Sequence, residues 1–463
     1  MDNSLNIFNE IAKKLLADEA QNPVSEFVSS EDLFDTLDLG LCDEPINEEQ
    51  FKNVLEDLIF KTPRTATNAF FNQLFGGRNS KAVLGDLLAV MLNNSMYTYK
   101  AAGPQIGVEK VIINEVCRLI GWSNNGGGTF ATGGSMTNFM AMLMARDYAS
   151  GDIPSKGMVN QHMTVYTSIE SHYSTPKNAA FSGIGRDNVR HIATDELGRI
   201  DPQALKLKIE EDILLGKKPA LVNLTAGTTV LGAFDPIEEI AAICKQHNIW
   251  LHVDGAYCGS VIFSSKYNHL LAALELVDSF SFNAHKMIGT PLTCSLIMVK
   301  DKSYLYDSFA NEASYLYQTD HDEFNLGKMS LQCGRRNDAL KFWTLWKSVG
   351  TKGLEQIVDK QFELADIARN YIKSNPDYIS YGIEDSISVC FNYKGIPAQQ
   401  LCTALYKESK LLVGYGAFRE DEFVRFVTIN AQNNPGDILN FFKTLEEFVA
   451  ANIEQLMVGQ ELN

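Results

Sequence analysis

The stretch of residues 220–259 constrains the fold of this chain more than any other. It reads ALVNLTAGTTVLGAFDPIEEIAAICKQHNIWLHVDGAYCG. The runs ALVNLTA and IWLHVD each predict a short buried strand, and Ile237, Ile240 and Cys244 recur on one face of a helix between them. We interpret Asp235 as the N-cap of that helix. Two strands joined by a helix must run parallel, so the stretch is a βαβ unit.

The same alternation continues through the middle of the chain and predicts its domains. Residues 81–345 alternate helices with short apolar strands, which predicts a large α/β domain whose mostly parallel sheet is covered by helices. Residues 1–80 predict a helical segment, and residues 346–463 predict a smaller α+β domain with strands such as SISVCFNY. Ligands of open α/β sheets bind at the carboxyl ends of the strands. Asp254 and the loop after Thr225 lie at such ends.

The charge and the cysteine content argue against several classes of function. The 463 residues carry a formal net charge of −17, which opposes binding to nucleic acid or to an anionic membrane surface. No apolar run reaches the length of a membrane span, and the first residues lack the basic and apolar regions of a signal peptide. The eight cysteines form no CxxC pair, so we expect no metal site, no disulfide framework and a reducing, cytoplasmic location.

A lysine between two predicted strands is the first sign of chemistry. Lys286 lies in FNAHKM, with His285 beside it and apolar runs on either side. A buried lysine is rarely tolerated without a partner or a reaction to perform. Earlier in the chain Asp254 ends a strand, and the small residues that follow it leave room for a flat ring. His172 follows the predicted strand TVYTSI, although a lone histidine is more often structural than catalytic.

A pair of glycines predicts an anion-binding turn. Gly133, Gly134 and Ser135 open the stretch ATGGSMTNFMAMLMARD, which then becomes helical. Glycine lets the backbone approach a ligand closely, and the start of a helix favours a phosphate. An ordinary glycine-rich turn with a serine cap would have the same sequence, so this motif carries weight only together with the others.

Together these elements match the needs of one cofactor, pyridoxal 5'-phosphate. That cofactor requires an anion cradle, a group that stacks on its ring, a carboxylate for the pyridine nitrogen and a lysine for a Schiff base. The carboxylate keeps the ring protonated as an electron sink, and the lysine must lose its proton before it attacks the aldehyde. Lys286, Asp254, His172 and the turn at Gly134 and Ser135 supply these groups.

The order of these motifs resembles that of the group II pyridoxal-phosphate decarboxylases. The motifs run TGGS, SHYS, TAGTT, GAFDPI, LHVD, HKM and QCGRR, and the similarity extends from FFNQLFGG at residues 70–77 to FVRFVTIN at residues 423–430. Within the family the chain most resembles the cysteine sulfinate and glutamate decarboxylases. The resemblance implies a fold-type I architecture and a homodimer with active sites at the subunit interface.

The resemblance also assigns residues to the cofactor. Gly134 and Ser135 would hold the phosphate, His172 would stack on the ring, Thr225 would lie near the ring hydroxyl, and Asp254 would pair with the ring nitrogen. The full set implied to contact the cofactor comprises Gly134, Ser135, His172, Thr225, Asp254, Ala256, Asn283, His285 and Lys286.

Four further residues match positions that contact the substrate in the family. Gln73 and Arg425 would clamp the distal acidic group, and the planar fork of arginine suits a carboxylate or sulfinate. Phe75 and Tyr97 resemble the cysteine sulfinate-type relatives, whereas glutamate-type relatives usually carry serine and phenylalanine there. Two bulky aromatic rings should shorten the pocket, so we expect a small, short acidic amino acid as the substrate.

Two positions depart from the family pattern. Ala284 replaces the proline that usually precedes the histidine and lysine, and we expect only a small effect on the backbone. Phe324 occupies, in an ungapped count, the position of the tyrosine that delivers a proton to the substrate, in a loop that is also shorter. His321, Tyr317 or His172 could then supply the proton.

The leading hypothesis is decarboxylation of a short acidic L-amino acid to the corresponding amine and carbon dioxide. An alternative is decarboxylation coupled to oxidative deamination, which yields an aldehyde; transamination is a more distant one. An alternative from a different functional class is a catalytically inactive homologue that only binds a partner. The presence of Lys286, Asp254, His172 and Arg425 together argues against silence.

Overall fold

The structure is a computed structural model that describes residues 2–311 and 321–457. Its strands, β1 to β12 in chain order, are Phe70–Phe71, Gly127–Ala131, Met163–Ser168, Val189–Ile192, Lys218–Thr225, Trp250–Gly255, Ser279–Asn283, Ser295–Val299, Tyr378–Ser380, Ser388–Tyr393, Leu412–Phe418 and Asp421–Val427. Its α-helices, α1 to α15 in chain order, are Asp2–Gln21, Leu33–Thr36, Glu48–Lys61, Ser80–Leu92, Tyr99–Ala102, Pro104–Ile120, Gly134–Ala149, Ile153–Lys156, Ser174–Phe181, Pro202–Leu214, Ile237–His247, Ser303–Phe309, Ala339–Ser374, Ala398–Lys407 and Pro435–Met457. Short 3-10 helices lie at Arg186–Asn188, Gly259–Phe263, Asn268–Leu271, Leu274–Leu276, Asp322–Phe324 and Leu326–Met329.

The chain folds as two compact units. The larger unit comprises Arg78–Glu363 and Gly382–Ser388, and the smaller unit comprises the residues up to Gly77 with Leu364–Tyr381 and the chain from Val389 onward. The boundaries predicted at residues 80 and 345 differ from this division. The N-terminal segment forms one unit with the C-terminal part, because strand β1 pairs with β11 across a long interval of sequence.

A seven-stranded sheet forms the centre of the larger unit, in the order β2-β8-β7-β6-β5-β3-β4. Strands β7, β6, β5, β3 and β4 run parallel to one another, and β8 is antiparallel to both β2 and β7. Every residue of β6 is buried, as expected for a central strand covered on both faces. The predicted mostly parallel α/β sheet is confirmed, and the carboxyl ends of β5, β6 and β7 lie side by side.

The predicted βαβ unit is present as β5, α11 and β6. Helix α11 buries Ile237, Ile240 and Cys244, as the periodicity predicts. The predicted N-cap is wrong, because Pro236 occupies that position and no side chain caps the helix. The carboxylate of Asp235 is instead buried and accepts hydrogen bonds from two backbone N–H groups, at Ile200 and Thr225, each at 2.7 Å.

The smaller unit contains a five-stranded sheet in the order β1-β11-β12-β10-β9. Strand β1 is parallel to β11, whereas β11 and β12 form an antiparallel pair. Its core is rich in aromatic side chains, and the ring centroids of Phe426 and Phe441 are 4.4 Å apart. The unit mixes helices and an antiparallel sheet, as an α+β fold does.

Residues 2–311 and 321–457 contain neither a membrane-spanning helix nor a cluster of metal ligands. No helix there is both long enough and apolar enough to cross a membrane. The same residues contain no group of three or more histidine, cysteine, aspartate or glutamate side chains that could hold a metal ion.

Candidate active site

A cavity of about 190 Å³ in the larger unit brings the predicted cofactor residues together. All nine line it: Gly134, Ser135, His172, Thr225, Asp254, Ala256, Asn283, His285 and Lys286. These residues come from five separate stretches of sequence. The structure therefore places them in one site, as predicted.

The sheet explains why distant residues meet at this cavity. Thr225 ends β5, Asp254 lies near the end of β6, and Asn283 ends β7. Thr225 and Asp254 are register partners across two parallel strands. Lys286 follows Asn283 in a tight turn, in which the Lys286 backbone N–H donates to the Asn283 carbonyl at 3.0 Å. Parallel strands carry all these groups to one edge of the sheet.

Two donors hold the carboxylate of Asp254 at the cavity wall. The Asn138 side-chain N–H donates to Oδ2 at 2.6 Å, and the Ala256 backbone N–H donates to Oδ1 at 3.0 Å. Asp254 is only 4% exposed. Hydrogen bonds to both oxygens hold the carboxylate in one orientation. Asp254 is thus a fixed negative charge that faces the cavity.

The amine of Lys286 lies near an aromatic ring and a pair of histidines. Its Nζ is 5.9 Å from the centroid of the Tyr257 ring. Burial, together with the charge of Lys286, lowers the pKa of His285 to about 4. Burial also lowers the pKa of His172, helped by Lys286 and opposed by Asp254. Both imidazoles are therefore neutral near pH 7, and neutral His172 can lie against an aromatic ring without a charge.

The cavity fits the predicted cofactor. Thr225 Oγ1 and Asn283 Oδ1 are buried and have no hydrogen-bond partner among the described residues. Orphaned buried oxygens of this kind signal a missing ligand group. A side chain at Gly134 would meet Ala256 Cβ and Asn283 Nδ2 at 3.0 Å, so the cradle is shaped for glycine. Polar cradle, carboxylate, imidazole and lysine are all within one cavity, as pyridoxal phosphate requires.

Five residues that line the cavity were missed in the sequence analysis: Asn138, Tyr173, Gly227, Thr229 and Tyr257. A signal existed for Asn138, because it follows Gly134 by four positions and so shares its helix face. Gly227 has a left-handed φ of 89°, and a Cβ there would meet Cys258 Sγ at 2.5 Å. The one sequence feature that could have indicated Tyr257 is its position three residues after Asp254.

The residues predicted to bind the substrate's acidic group lie in the smaller unit. Gln73 and Phe75 line a cavity of about 580 Å³ next to Asn72. Arg425 Nη2 donates to the Asn72 carbonyl at 2.8 Å, so the guanidinium adjoins this segment. Tyr97 belongs to the larger unit, where its ring packs against Gly327. It does not line either cavity.

Phe324 lies outside the residues that line the 190 Å³ cavity. Its ring packs edge to face against Tyr99, with centroids 5.7 Å apart, and Lys110 Nζ lies 4.3 Å from its centroid. Burial lowers the pKa of Lys110. His321 is exposed, and Tyr317 lies outside the described residues. The role predicted for Phe324 in proton delivery stays a prediction.

Comparison with known proteins identifies close relatives in sequence. A profile of the pyridoxal-dependent decarboxylase conserved domain matches residues 31–394. A cysteine sulfinic acid decarboxylase of Mus musculus is 38% identical over 377 residues, which cover 80% of this chain and 76% of the relative. An acidic amino acid decarboxylase of the same organism, GADL1, is 34% identical over 455 residues, which cover 93% of this chain and 82% of the relative.

Solved structures also superpose closely on this chain. The crystal structure of mouse CSAD superposes with a TM-score of 0.90 at 32% identity and covers 96% of this chain and 99% of that one. An Oryza sativa TDC structure with PLP and tryptamine has a TM-score of 0.89 at 22% identity, a likeness of fold alone. The predicted fold-type I architecture is confirmed.

Proposed function

This chain belongs to the pyridoxal-dependent decarboxylases, and from that premise we propose that it decarboxylates short acidic L-amino acids to the corresponding amines. Pyridoxal 5'-phosphate is its cofactor. The names of two relatives, a cysteine sulfinic acid decarboxylase and an acidic amino acid decarboxylase, support the substrate class. We rank cysteine sulfinate and aspartate ahead of glutamate.

One observation carries the proposal: Asp254, His172 and Lys286 line a single cavity. Two buried oxygens of the same cavity, Thr225 Oγ1 and Asn283 Oδ1, have no hydrogen-bond partner among the described residues, as expected where a ligand binds. When bound there, pyridoxal phosphate supplies an electron sink for the pair of electrons that carbon dioxide leaves behind. The protein's own residues must hold that ring and control protons around it.

We assign each side chain a task from its position. Lys286 holds the cofactor covalently, since its amine is the only lysine group among the lining residues of this cavity. Asp254 presents a fixed negative charge to the ring nitrogen. His172, neutral because burial lowers its pKa, covers one face of the ring. The backbone of Gly134 and Ser135 at the start of α7 receives the phosphate.

We assign the distal acidic group of the substrate to Arg425 and Gln73. Arginine binds a carboxylate or sulfinate with two parallel hydrogen bonds, which lysine cannot do. The bond from Arg425 Nη2 to the Asn72 carbonyl fixes one edge of the guanidinium beside the segment that carries Gln73 and Phe75. We infer that the phenyl ring of Phe75 shortens the space available to the substrate.

We propose that the active form is a homodimer, and that the protein is cytoplasmic. Helix α4 (Ser80–Leu92) exposes a row of apolar side chains that suits burial against a second copy. Their exposed fractions range from 41% to 59%, and the residues are Leu84, Leu87, Leu88, Val90, Met91 and Leu92. All eight cysteines are free, which suits a reducing compartment. Sedimentation should give twice the 51.5 kDa chain mass, and a fully active monomer would contradict the dimer.

A panel assay tests the proposed function. Aspartate, cysteine sulfinate, cysteate and glutamate are each supplied to the cofactor-loaded protein, with carbon dioxide, amine and peroxide measured together. We expect carbon dioxide and amine in equal amounts from at least one of the short substrates, with no peroxide. Lys286→Ala serves as the control for non-enzymatic carbon dioxide. Equal amounts of carbon dioxide and peroxide would show oxidative deamination instead, and no turnover of any substrate would refute the proposal.

A further inference from the structure

A line of buried polar side chains runs along one face of the central sheet to Asp254. Trp250, His252 and Asp254 occupy alternate positions of β6, so their side chains project from the same face. Ser279 of β7 is the register partner of His252. Asn138, on helix α7, contacts both His252 and Asp254. Of these five residues, Asp254 alone has a role in the function proposed above.

The contacts between these residues are continuous. Trp250 Nε1 lies 2.8 Å from Ser279 Oγ, which lies 2.8 Å from His252 Nδ1. His252 Nε2 lies 3.2 Å from Asn138 Oδ1, and Asn138 Nδ2 donates to Asp254 Oδ2 at 2.6 Å. All five residues are at most 5% exposed. Each link is within ordinary hydrogen-bond distance.

The chemistry of the two ends fixes the direction of every bond. The Asp254 carboxylate only accepts, so the amide nitrogen of Asn138 must face it and the amide oxygen must face His252. That oxygen requires a donor, and His252 Nε2 at 3.2 Å lies nearer to it than the Ser281 hydroxyl at 3.5 Å, which favours the proton of the neutral imidazole on Nε2. His252 Nδ1 then accepts from the Ser279 hydroxyl, and Ser279 accepts from the Trp250 indole, which can only donate. The two ends impose the same direction.

Protonation of His252 would break this arrangement. A second ring N–H would point at Ser279 Oγ, which already accepts from Trp250, and the Ser279 proton would lose its acceptor. His252 is completely buried, and burial lowers its pKa to about 4 even though Asp254 opposes the shift. The neutral Nε2–H tautomer is therefore the form that the surroundings select.

We propose that Asn138 and His252 are positioning residues that hold the Asp254 carboxylate aimed at the cavity. The proposal rests on the assigned role of Asp254 opposite the cofactor ring nitrogen. Because Asn138 Nδ2 donates to one oxygen of the carboxylate at 2.6 Å, the carboxylate cannot rotate without losing that bond. Hydrogen bonds in a continuous buried chain also polarise one another, which strengthens the last link.

The tautomer of His252 is a test that does not depend on activity. Cofactor-free protein labelled with ¹⁵N-histidine is examined by long-range ¹H–¹⁵N correlation, with the His252 signal assigned through its loss in His252→Gln. We expect the neutral Nε2–H tautomer from pH 6 to pH 9, with and without cofactor. An Nδ1–H tautomer or an imidazolium in this range would overturn the proposal.

Two substitutions test the effect on the active site. His252→Gln retains an N–H that can donate to Asn138, whereas His252→Leu does not. We expect His252→Leu to lower kcat roughly 10–100-fold, the range typical when a supporting partner is lost, with a changed absorption spectrum of the bound cofactor and little change in KM. His252→Gln should recover most of kcat and the wild-type spectrum. His191→Leu, at an exposed position of edge strand β4, is the matched control and should change neither kcat nor the spectrum.

The outcomes separate this proposal from the proposed function. Wild-type protein that turns over no acidic amino acid refutes the function, whatever the tautomer of His252. Active wild type with kcat and spectrum unchanged in His252→Leu refutes only the positioning role. Equal losses in both His252 variants would show that the residue serves packing alone, because glutamine would then give no rescue.

Discussion

The ring of Phe324 meets the ring of Tyr99 edge to face, with centroids 5.7 Å apart, and Lys110 Nζ lies 4.3 Å from the Phe324 centroid. We place Phe324 at the position from which a tyrosine delivers a proton in related enzymes. A phenyl ring cannot donate a proton, and a positioned general acid typically contributes about 10²–10⁴-fold. We therefore predict that Phe324→Tyr raises the rate of amine formation at least about tenfold, measured as amine and peroxide together.

The control for Phe324 is its packing partner. Tyr99→Phe removes a hydroxyl from the same ring pair without placing one at position 324, so it should leave the rate unchanged. If Phe324→Tyr leaves both amine and peroxide unchanged, the contacts with Tyr99 and Lys110 are the whole role of the residue. The proton would then come from another group.

Part of the geometry of the candidate site follows from patterns that can be recognised locally in the sequence. Lys286 and Asp254 could be placed together because each follows a recognisable strand, and parallel strands bring their ends to one edge. The bonding of Asp235 could not be predicted, because its partners Ile200 and Thr225 approach only after the loops have packed. The local sequence rule predicts that Asp235 caps the helix, but tertiary contacts determine its hydrogen bonds instead.

The hydrogen bonds that connect Trp250 to Asp254 through His252 were harder to predict from the sequence. Alternation along β6 places His252 and Asp254 on one face, but a buried histidine at that position reads equally well as core. The third partner, Asn138, comes from a different segment of the chain. Pairing between segments of this kind has no local pattern, so only the folded structure could join them.

We predict that Lys286→Ala abolishes turnover and covalent attachment of the cofactor without unfolding the protein. Lys286 is the one lysine among the residues that line the 190 Å³ cavity. Borohydride reduction followed by peptide mapping should find the cofactor on Lys286 alone. Lys266→Ala, which removes an exposed lysine whose Nζ lies 4.8 Å from the Tyr267 ring, is the control and should keep full activity. A cofactor adduct on a different lysine would refute the assignment.

Asp254→Asn should lower kcat far more than it lowers thermal stability. A fixed charge in a buried site is typically worth about 3 kcal/mol or more in the transition state, which corresponds to a loss of roughly 100-fold. The control is Asp278→Asn, which alters another largely buried aspartate whose Oδ2 accepts the Leu251 backbone N–H at 2.8 Å. That variant should lose stability and keep its kcat. Near-normal turnover in Asp254→Asn would contradict the role of the charge.

The stability of the cofactor-free protein should depend on pH through His252. Burial lowers its folded pKa to about 4, whereas an unfolded histidine titrates near 6.5. The stability that neutral His252 contributes is therefore present above about pH 6.5 and is lost as the pH falls toward 4. We predict that the Tm difference between wild type and His252→Gln is smaller at pH 5 than at pH 7. A difference that stays constant, as expected for the exposed control His191→Gln, would contradict the buried neutral state.

The last prediction concerns substrate length. Phe75 lines a cavity together with Asn72, whose carbonyl accepts a hydrogen bond from Arg425. We expect the Phe75 ring to limit the length of substrate that can reach Arg425. Glutamate is one methylene longer than aspartate, and one misplaced methylene in an apolar pocket is worth about 1–3 kcal/mol. Phe75→Ser should therefore raise kcat/KM for glutamate relative to cysteine sulfinate roughly tenfold or more. Phe75→Tyr keeps the bulk of the ring and should keep the preference for short substrates. If both variants shift the ratio equally, or if wild type already prefers glutamate, ring size at position 75 does not select the substrate.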